Sequence, residues 1–203
     1  PFESQKMKNV IFTSKSYDRK GKIHESIEHH NRDVALPFRQ EKFDKMRLSP
    51  YAFFRGSNHI FWSDFAGDWQ INRFGGSQFS RTWLEGDAHV YNMGAYLNNS
   101  GNIAFGFDDY DDSLVADYQY DIWRFAISMV LDLWQNDKFT DLQLNEALHI
   151  FAKTYLKTIS SYEKVDLFSC SFNQENTCKP LAKFLGKTSK KYSRERMLNK
   201  WTE

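Results

Sequence analysis

The segment from Gly86 to Asn92, GDAHVYN, sets an aspartate and an asparagine five residues apart, and Asp109 follows Asn92 by seventeen residues at the end of an apolar run. That order of residue types suits phosphoryl transfer. One carboxylate orients the attacking hydroxyl, while an amide oxygen and a second carboxylate take a metal that bridges nucleotide phosphates. Asp carries a short, stiff carboxylate, Asn offers a neutral oxygen that adds nothing to local repulsion, and Mg²⁺ prefers such hard oxygens. An aspartate five residues before an asparagine is common by chance. The joint pattern gains specificity from Asp109, Asp117 and Asp121, the last two lying eight and twelve residues beyond the first.

The charge around these residues is uneven. From Thr82 to Trp123 there is no lysine or arginine in 42 residues, yet the stretch holds Glu85, Asp87, Asp108, Asp109, Asp111, Asp112, Asp117 and Asp121 in a chain of net charge +1. Carboxylates crowded without cations repel, and three outcomes relieve them: solvation on a loop, protonation, or capture of a divalent cation. Solvation is the ordinary outcome for an acidic loop. The neighbours favour a built platform instead, because Ile103, Ala104, Phe105 and Phe107 form a buried-strand pattern that delivers Asp108 and Asp109 to its end.

The elements that must position these acids are legible by pattern. Thr82 to Leu84 and Val90 to Leu97 read as short strands, and Asn98 to Gly101 turn the chain into a strand beginning at Asn102, which makes a hairpin. Asp117 can cap a helix with the stripe Ile122, Phe125, Ala126, Met129, Val130 and Leu133. Thr140 and Gln143 form a capping box ahead of a second amphipathic helix, Leu144 to Ile159, expected to pack on the first. Upstream, Ser49 and Pro50 suit an N-cap and first turn, followed by one aromatic-faced helix through Phe54, Ile60, Phe61 and Phe65.

Residues 1–36 are polar, basic and weakly periodic and read as a mobile leader or an arm on another element, with no zinc expected at His29 and His30. The lysines and arginines from Lys179 to Lys200 read as a solvated helix rather than a nucleic-acid face. Cys170 and Cys178 read as inert thiols, and Trp62, Trp69 and Trp83 as core or pocket lining. A hydrophobic share of 41% with 26% charged residues excludes a disordered chain and a membrane bundle. The longest apolar run, Phe125 to Leu131, is far short of a span, and no signal-peptide pattern is present, so the expectation is a soluble, cytoplasmic protein. A chain opening on Pro1 reads as part of something longer.

GDAHVYN looks like the GDxHxxN catalytic loop of aminoglycoside phosphotransferases and related kinase-like enzymes, and DYDDSLVADYQYD like their metal-aspartate segment. The ordered run SPYAFFRGSNHIFWSDFAG, GDAHVYNMG, FDDYDD and YDIWRFAIS resembles more closely the bacterial family called domain of unknown function 2252, over about residues 38 to 160. The resemblance implies an α+β, mainly α fold: a kinase-like large lobe over residues 37–203, with short β-hairpins carrying the site loops on amphipathic helices. It implies Asp87 as catalytic base, Asn92 and Asp109 as metal ligands, His89 as a loop-fixing residue and Asp121 as an acid anchoring that loop; Asp111 is expected to support the metal, without a role that the resemblance fixes. ATP and Mg²⁺ are the implied cofactors, and a small-molecule or protein hydroxyl is the acceptor. Two features depart from the pattern. Glu85 stands where the phosphotransferase loop usually has histidine, and Gly75, Gly76 and Ser77 are too few for a phosphate loop with its following lysine. The resemblance places that nucleotide-gripping segment C-terminal to these motifs, in a longer chain.

Two other classes fit parts of the pattern. Asp87 and His89 make the D-x-H pair of a metal-dependent phosphoesterase, although the later histidines of such enzymes are missing. A non-catalytic module would use the same scaffold to present a partner surface. A calcium loop fails, because counting from Asp109 puts Leu114 and Tyr120 where glycine and glutamate are required.

Overall fold

The structure, a computed structural model, describes residues 19–65, 78–98, 101–136, 138–162, 171–191 and 198–200. Contacts divide the chain into a unit over Pro1–Trp69 and a unit over Gln70–Glu203. Among the described residues, no helix is long and apolar enough to cross a membrane.

The first unit is helical: α1 Arg19–His30, α2 Leu36–Met46, α3 Pro50–Gly56 and α4 Asn58–Phe65. The second half of the expected leader is therefore helix α1, whose polar sequence leaves no residue buried and no stripe to read. It is tied down by polar contacts at its ends. Arg19 pairs with Asp64 of α4, and at the other end buried Asn31 accepts from Lys42 Nζ of α2 at 2.7 Å. Ser49 caps α3 as expected, its Oγ accepting from Ala52 N at 3.1 Å. The single aromatic helix expected through Phe65 is instead two, broken at Ser57, whose φ −125° and ψ 39° leave the helical region. Gly56, just before the break, packs against Met46, and a Cβ there would lie 2.4 Å from Met46 Cγ.

The second unit is α+β and mainly helical. Its strands are β1 Arg81–Leu84, β2 Met93–Leu97, β3 Ile103–Phe107 and β4 Leu114–Asp117, and its helices α5 Gln119–Asn136, α6 Asp141–Ser161 and α7 Lys179–Lys191. β2 and β3 form the expected hairpin. Strand β4 is an addition to the sequence reading. Its four residues carry too short an apolar pattern between flanking acids to be read, and pairing with β1 defines it. The pairing is nested. Leu84 at the end of β1 faces Leu114 at the start of β4, while Met93 at the start of β2 faces Phe107 at the end of β3. The connections 85–92 and 108–113 must therefore run side by side between the same two pairs of strands.

Gly86 makes that approach feasible. Its φ is +90°, and a Cβ would lie 2.0 Å from the Asp112 carbonyl oxygen. Helices α5 and α6 pack through Phe125 and Phe151, stacked at 5.5 Å, and Phe107 meets Phe125 edge-on at 6.1 Å. The capping box of Thr140 and Gln143 is formed in both directions. Between strands and helices lies an apolar cavity of about 850 Å³ whose lining includes Trp83, Met93, Phe107, Phe125 and Phe151. Helix α7 buries Leu185 and sets Phe184 edge-on to Phe105 of β3, with Lys183 and Lys187 solvent-exposed. Trp69, Gly75, Gly76, Ser77 and Cys170 lie outside the described residues.

The two glycines at positive φ separate backbone strain from crowding. Gly101, at φ +79°, has open space where a methyl group would sit, so Gly101→Ala is expected to destabilise by only ~1 kcal/mol. Gly86→Ala must also displace the 108–113 connection, and its loss in urea unfolding is expected to be clearly larger, above about 3 kcal/mol. Equal losses at the two positions would mean that the connections do not abut.

Candidate functional site

The site is built where the two connections meet the first turns of α5. Asp121, in the first turn, accepts from Glu85 N at 2.8 Å and from Gly86 N at 3.1 Å, so both carboxylate oxygens hold the backbone that carries Asp87. One helical turn later, Arg124 is fully buried and pairs with Asp87 Oδ1 through Nε and Nη2. Another turn on, Ser128 Oγ accepts from Val90 N at 3.1 Å and donates to Phe125 O. One helix face thus fixes the loop at three successive levels.

His89 is also fully buried. Its Nδ1 accepts from Tyr91 N at 3.2 Å, which assigns the proton of the neutral ring to Nε2, 3.6 Å from Asp87 Oδ2. This bond curls Val90–Asn92 into a 3₁₀ turn, so the strand expected from Val90 begins at Met93. The turn directs Asn92 inward. Asn92 is 6% exposed, and its Nδ2 donates to Glu85 Oε1 at 3.0 Å and to the Asp87 carbonyl at 3.2 Å. Both donors of the amide face protein oxygens, which leaves Oδ1 as its remaining acceptor.

Asp109 sits on the neighbouring connection. Asp108 N donates to the Asn92 carbonyl at 3.2 Å, which brings Asp109 to the same end of the hairpin as Asn92. The Asp109 side chain is exposed, with Oδ1 accepting weakly from Asp111 N at 3.4 Å. Asp111 is likewise exposed. No hydrogen bond between described residues joins Asp109 to Asp87 or Asn92, and among the described residues no three His, Cys, Asp or Glu side chains are grouped to hold a metal ion.

The donor chemistry nevertheless suits magnesium carried on phosphates. Mg²⁺ is usually held by one or two protein carboxylates together with substrate phosphates and water, rather than by an all-protein cage. Asn92 Oδ1 and the Asp109 carboxylate are hard oxygens on adjoining backbone, and neither is committed to a cation among the described residues.

Two residues shape the electrostatics. Arg124 is pulled below its ordinary value by burial and pushed back up by Asp87, Glu85 and Asp112, which makes it the counter-ion of the cluster. Glu85, 5% exposed, is raised to about 7: burial drives it up, the Asn92 amide opposes, and Asp121 and Asp87 reinforce the rise. Part of the crowded acid is thereby relieved by protonation, one of the three outcomes available to it.

Sequence reasoning misses Arg124 and Ser128 as site residues, because the stripe on α5 is defined by its apolar positions alone. A signal for Arg124 is present: it is the first cation after the 42-residue gap.

The chain belongs to the bacterial family described as "Uncharacterized protein conserved in bacteria (DUF2252)", whose model matches residues 37–203. No curated protein and no solved structure matches it.

Two outcomes test the electrostatics. Arg124→Met leaves the acids without their counter-ion and is expected to cost about 3 kcal/mol in urea unfolding. A double-mutant cycle with Asp87→Asn should then show coupling of at least ~1 kcal/mol. Separately, folded Glu85 keeps a proton that the unfolded chain releases, so stability should fall as pH rises from the ordinary glutamate value of 4.5 to about 7 and then level off. The full effect is on the order of 3 kcal/mol. Glu85→Gln should remove this slope, and an unchanged slope would place the titration elsewhere.

Proposed function

We propose that this protein carries the catalytic part of a kinase-like phosphotransferase, which passes the γ-phosphoryl group of ATP to a hydroxyl acceptor. The observation that carries the reading is the nested pairing, which lays the loop bearing Asp87 and Asn92 against the connection bearing Asp109. Phosphoryl transfer asks little covalent chemistry of a protein and much positioning. Asp87, with Arg124 on one oxygen and His89 beside the other, presents a carboxylate of fixed direction to an acceptor hydroxyl and receives its proton. Asn92 and Asp109 would hold magnesium, which supplies charge neutralisation at the phosphates when bound. His89 and Asp121 keep the loop in shape, and Asp111 flanks the Asp109 carboxylate. A cytoplasmic setting, with ATP and Mg²⁺ at hand, suits this reading, and no nucleic-acid or membrane partner is required by it.

The Asp87–Arg124 pair also favours a second reading, in which the pair is a structural lock and the unit is a non-catalytic kinase-like module. The phosphoesterase alternative is less well supported. His89 is fully buried, with Nδ1 engaged by backbone and Nε2 turned to Asp87, so it is poorly placed to ligate a metal.

Calorimetric titration with ATP, with and without Mg²⁺, is the direct test. The reading expects Mg²⁺-dependent binding that Asp109→Ala removes. It also expects ADP release with a panel of hydroxyl acceptors that Asp87→Asn lowers by ~100-fold or more while binding persists. Nucleotide binding indifferent to both Mg²⁺ and Asp109→Ala would overturn it. Normal Mg²⁺-ATP binding with no turnover in either protein would favour the module.

A further inference from the structure

An asparagine amide has two ends of nearly equal shape and opposite hydrogen-bonding character, so a ligand role for Asn92 depends on which end faces out. Its inner end meets two acceptors, Glu85 Oε1 at 3.0 Å and the Asp87 carbonyl at 3.2 Å. A flipped amide would set Oδ1 against the Asp87 carbonyl oxygen, and against Glu85 Oε1 wherever that oxygen does not carry the carboxyl proton. The Asp87 carbonyl is backbone and is present whatever the side chains are, whereas the Glu85 contact is made by sequence. Glu85 is itself held: its backbone N–H is fixed by Asp121, and its side chain is 5% exposed. Oε2 is buried with no hydrogen-bond partner among the described residues, so the side-chain hydrogen bond from Asn92 to Oε1, with the Asp87 backbone amide, holds this carboxyl in the buried polar network. A histidine or lysine at this position could present a donor and turn the amide around.

We propose that Glu85 is a positioning residue that sets the Asn92 amide with nitrogen inward and oxygen outward, and so makes Asn92 a cation ligand. The residue that departs from the phosphotransferase-like loop pattern thereby has a stated task. The claim about ligation rests on the reading of Asn92 given above, while the claim about orientation stands on geometry alone.

The test uses Mn²⁺ as probe and two variants of the whole chain. Glu85→Met keeps the bulk and removes the acceptor, and Glu85→Gln keeps an acceptor. Water-proton relaxation reads Mn²⁺ affinity, and side-chain amide NMR reads Asn92 directly. The expected result is a loss of Mn²⁺ affinity of about 10-fold or more in Glu85→Met, the scale usual for residues that orient metal ligands, with Glu85→Gln within a few-fold of wild type. The Asn92 amide protons should exchange slowly with solvent in wild type and Glu85→Gln, and quickly in Glu85→Met. Wild-type affinity together with an undisturbed Asn92 amide in Glu85→Met would overturn the proposal. If the wild type binds no Mn²⁺, the ligand reading of Asn92 falls, and the amide exchange alone decides whether Glu85 sets the orientation. If Glu85→Met does not fold, the wild-type spectrum decides: no through-space contact between the Asn92 amide protons and the Glu85 side chain overturns the proposal.

Discussion

One buried guanidinium holds together a stretch of chain that would otherwise repel itself. Between Thr82 and Trp123 the sequence places eight acids and no lysine or arginine, and the fold then presses the two most acidic connections against each other. A charge taken wholly out of water is tolerated only when it is paired and bonded. Arg124 meets that condition through Asp87, and Glu85 and Asp112 lie close enough to add their fields. The dependence is mutual: the acids offset the cost of burying the arginine, and the arginine offsets the repulsion between the acids.

Backbone topology supplies the other half of the arrangement. A simple succession of hairpins would separate the connection after β1 from the connection after β3. Nesting β2 and β3 inside β1 and β4 makes the two connections neighbours. Gly86 then permits contact at the level of backbone atoms. Helix α5 follows β4 directly and spends its polar residues on the loop. Asp121 takes two amides, Arg124 a carboxylate, and Ser128 a third amide. The loop owes its shape to α5 more than to its own hydrogen bonds, which is why a short, irregular segment can be rigid.

The parts of this that were legible in the sequence are those governed by short-range chemistry. Ser49, Thr140 with Gln143, and the Asn98–Gly101 turn act on backbone within a few residues, and their elements are present where those signals placed them. Strand β4 was not legible, since four residues acquire strand character only by pairing with β1, which ends thirty residues earlier. The break at Ser57 was not legible either, and the packing of Met46 against Gly56 just before it is a contact between helices that no local pattern records. At the site, Asp87, His89, Asn92, Asp109, Asp111 and Asp121 were named for their type; the structure joins Asp87, His89, Asn92 and Asp121 on one loop and its anchoring helix, while Asp109 and Asp111 stay exposed on the neighbouring connection. Their partners could not be named in this way. Arg124 and Ser128 lie outside the apolar stripe by which α5 is read, and only the tertiary arrangement shows which polar atoms they meet.

The Asp87–Arg124 pair bears differently on the two readings of function. In a module, the ion pair would be the purpose of both residues, and nothing would favour keeping one carboxylate oxygen near the surface. Asp87 is in fact 21% exposed while its partner is fully buried, so the pair is asymmetric in burial. Arg124 engages Oδ1, and Oδ2 faces the His89 ring, with Nε2 at 3.6 Å. A carboxylate clamped from behind cannot rotate to suit a ligand, and what it offers is direction. Phosphoryl transfer through a loose transition state gains most from such direction, because the acceptor oxygen must lie in line with the leaving group. The clamp that at first looks like a reason to doubt Asp87 as a participant is, on this geometry, the feature that would make it an effective one.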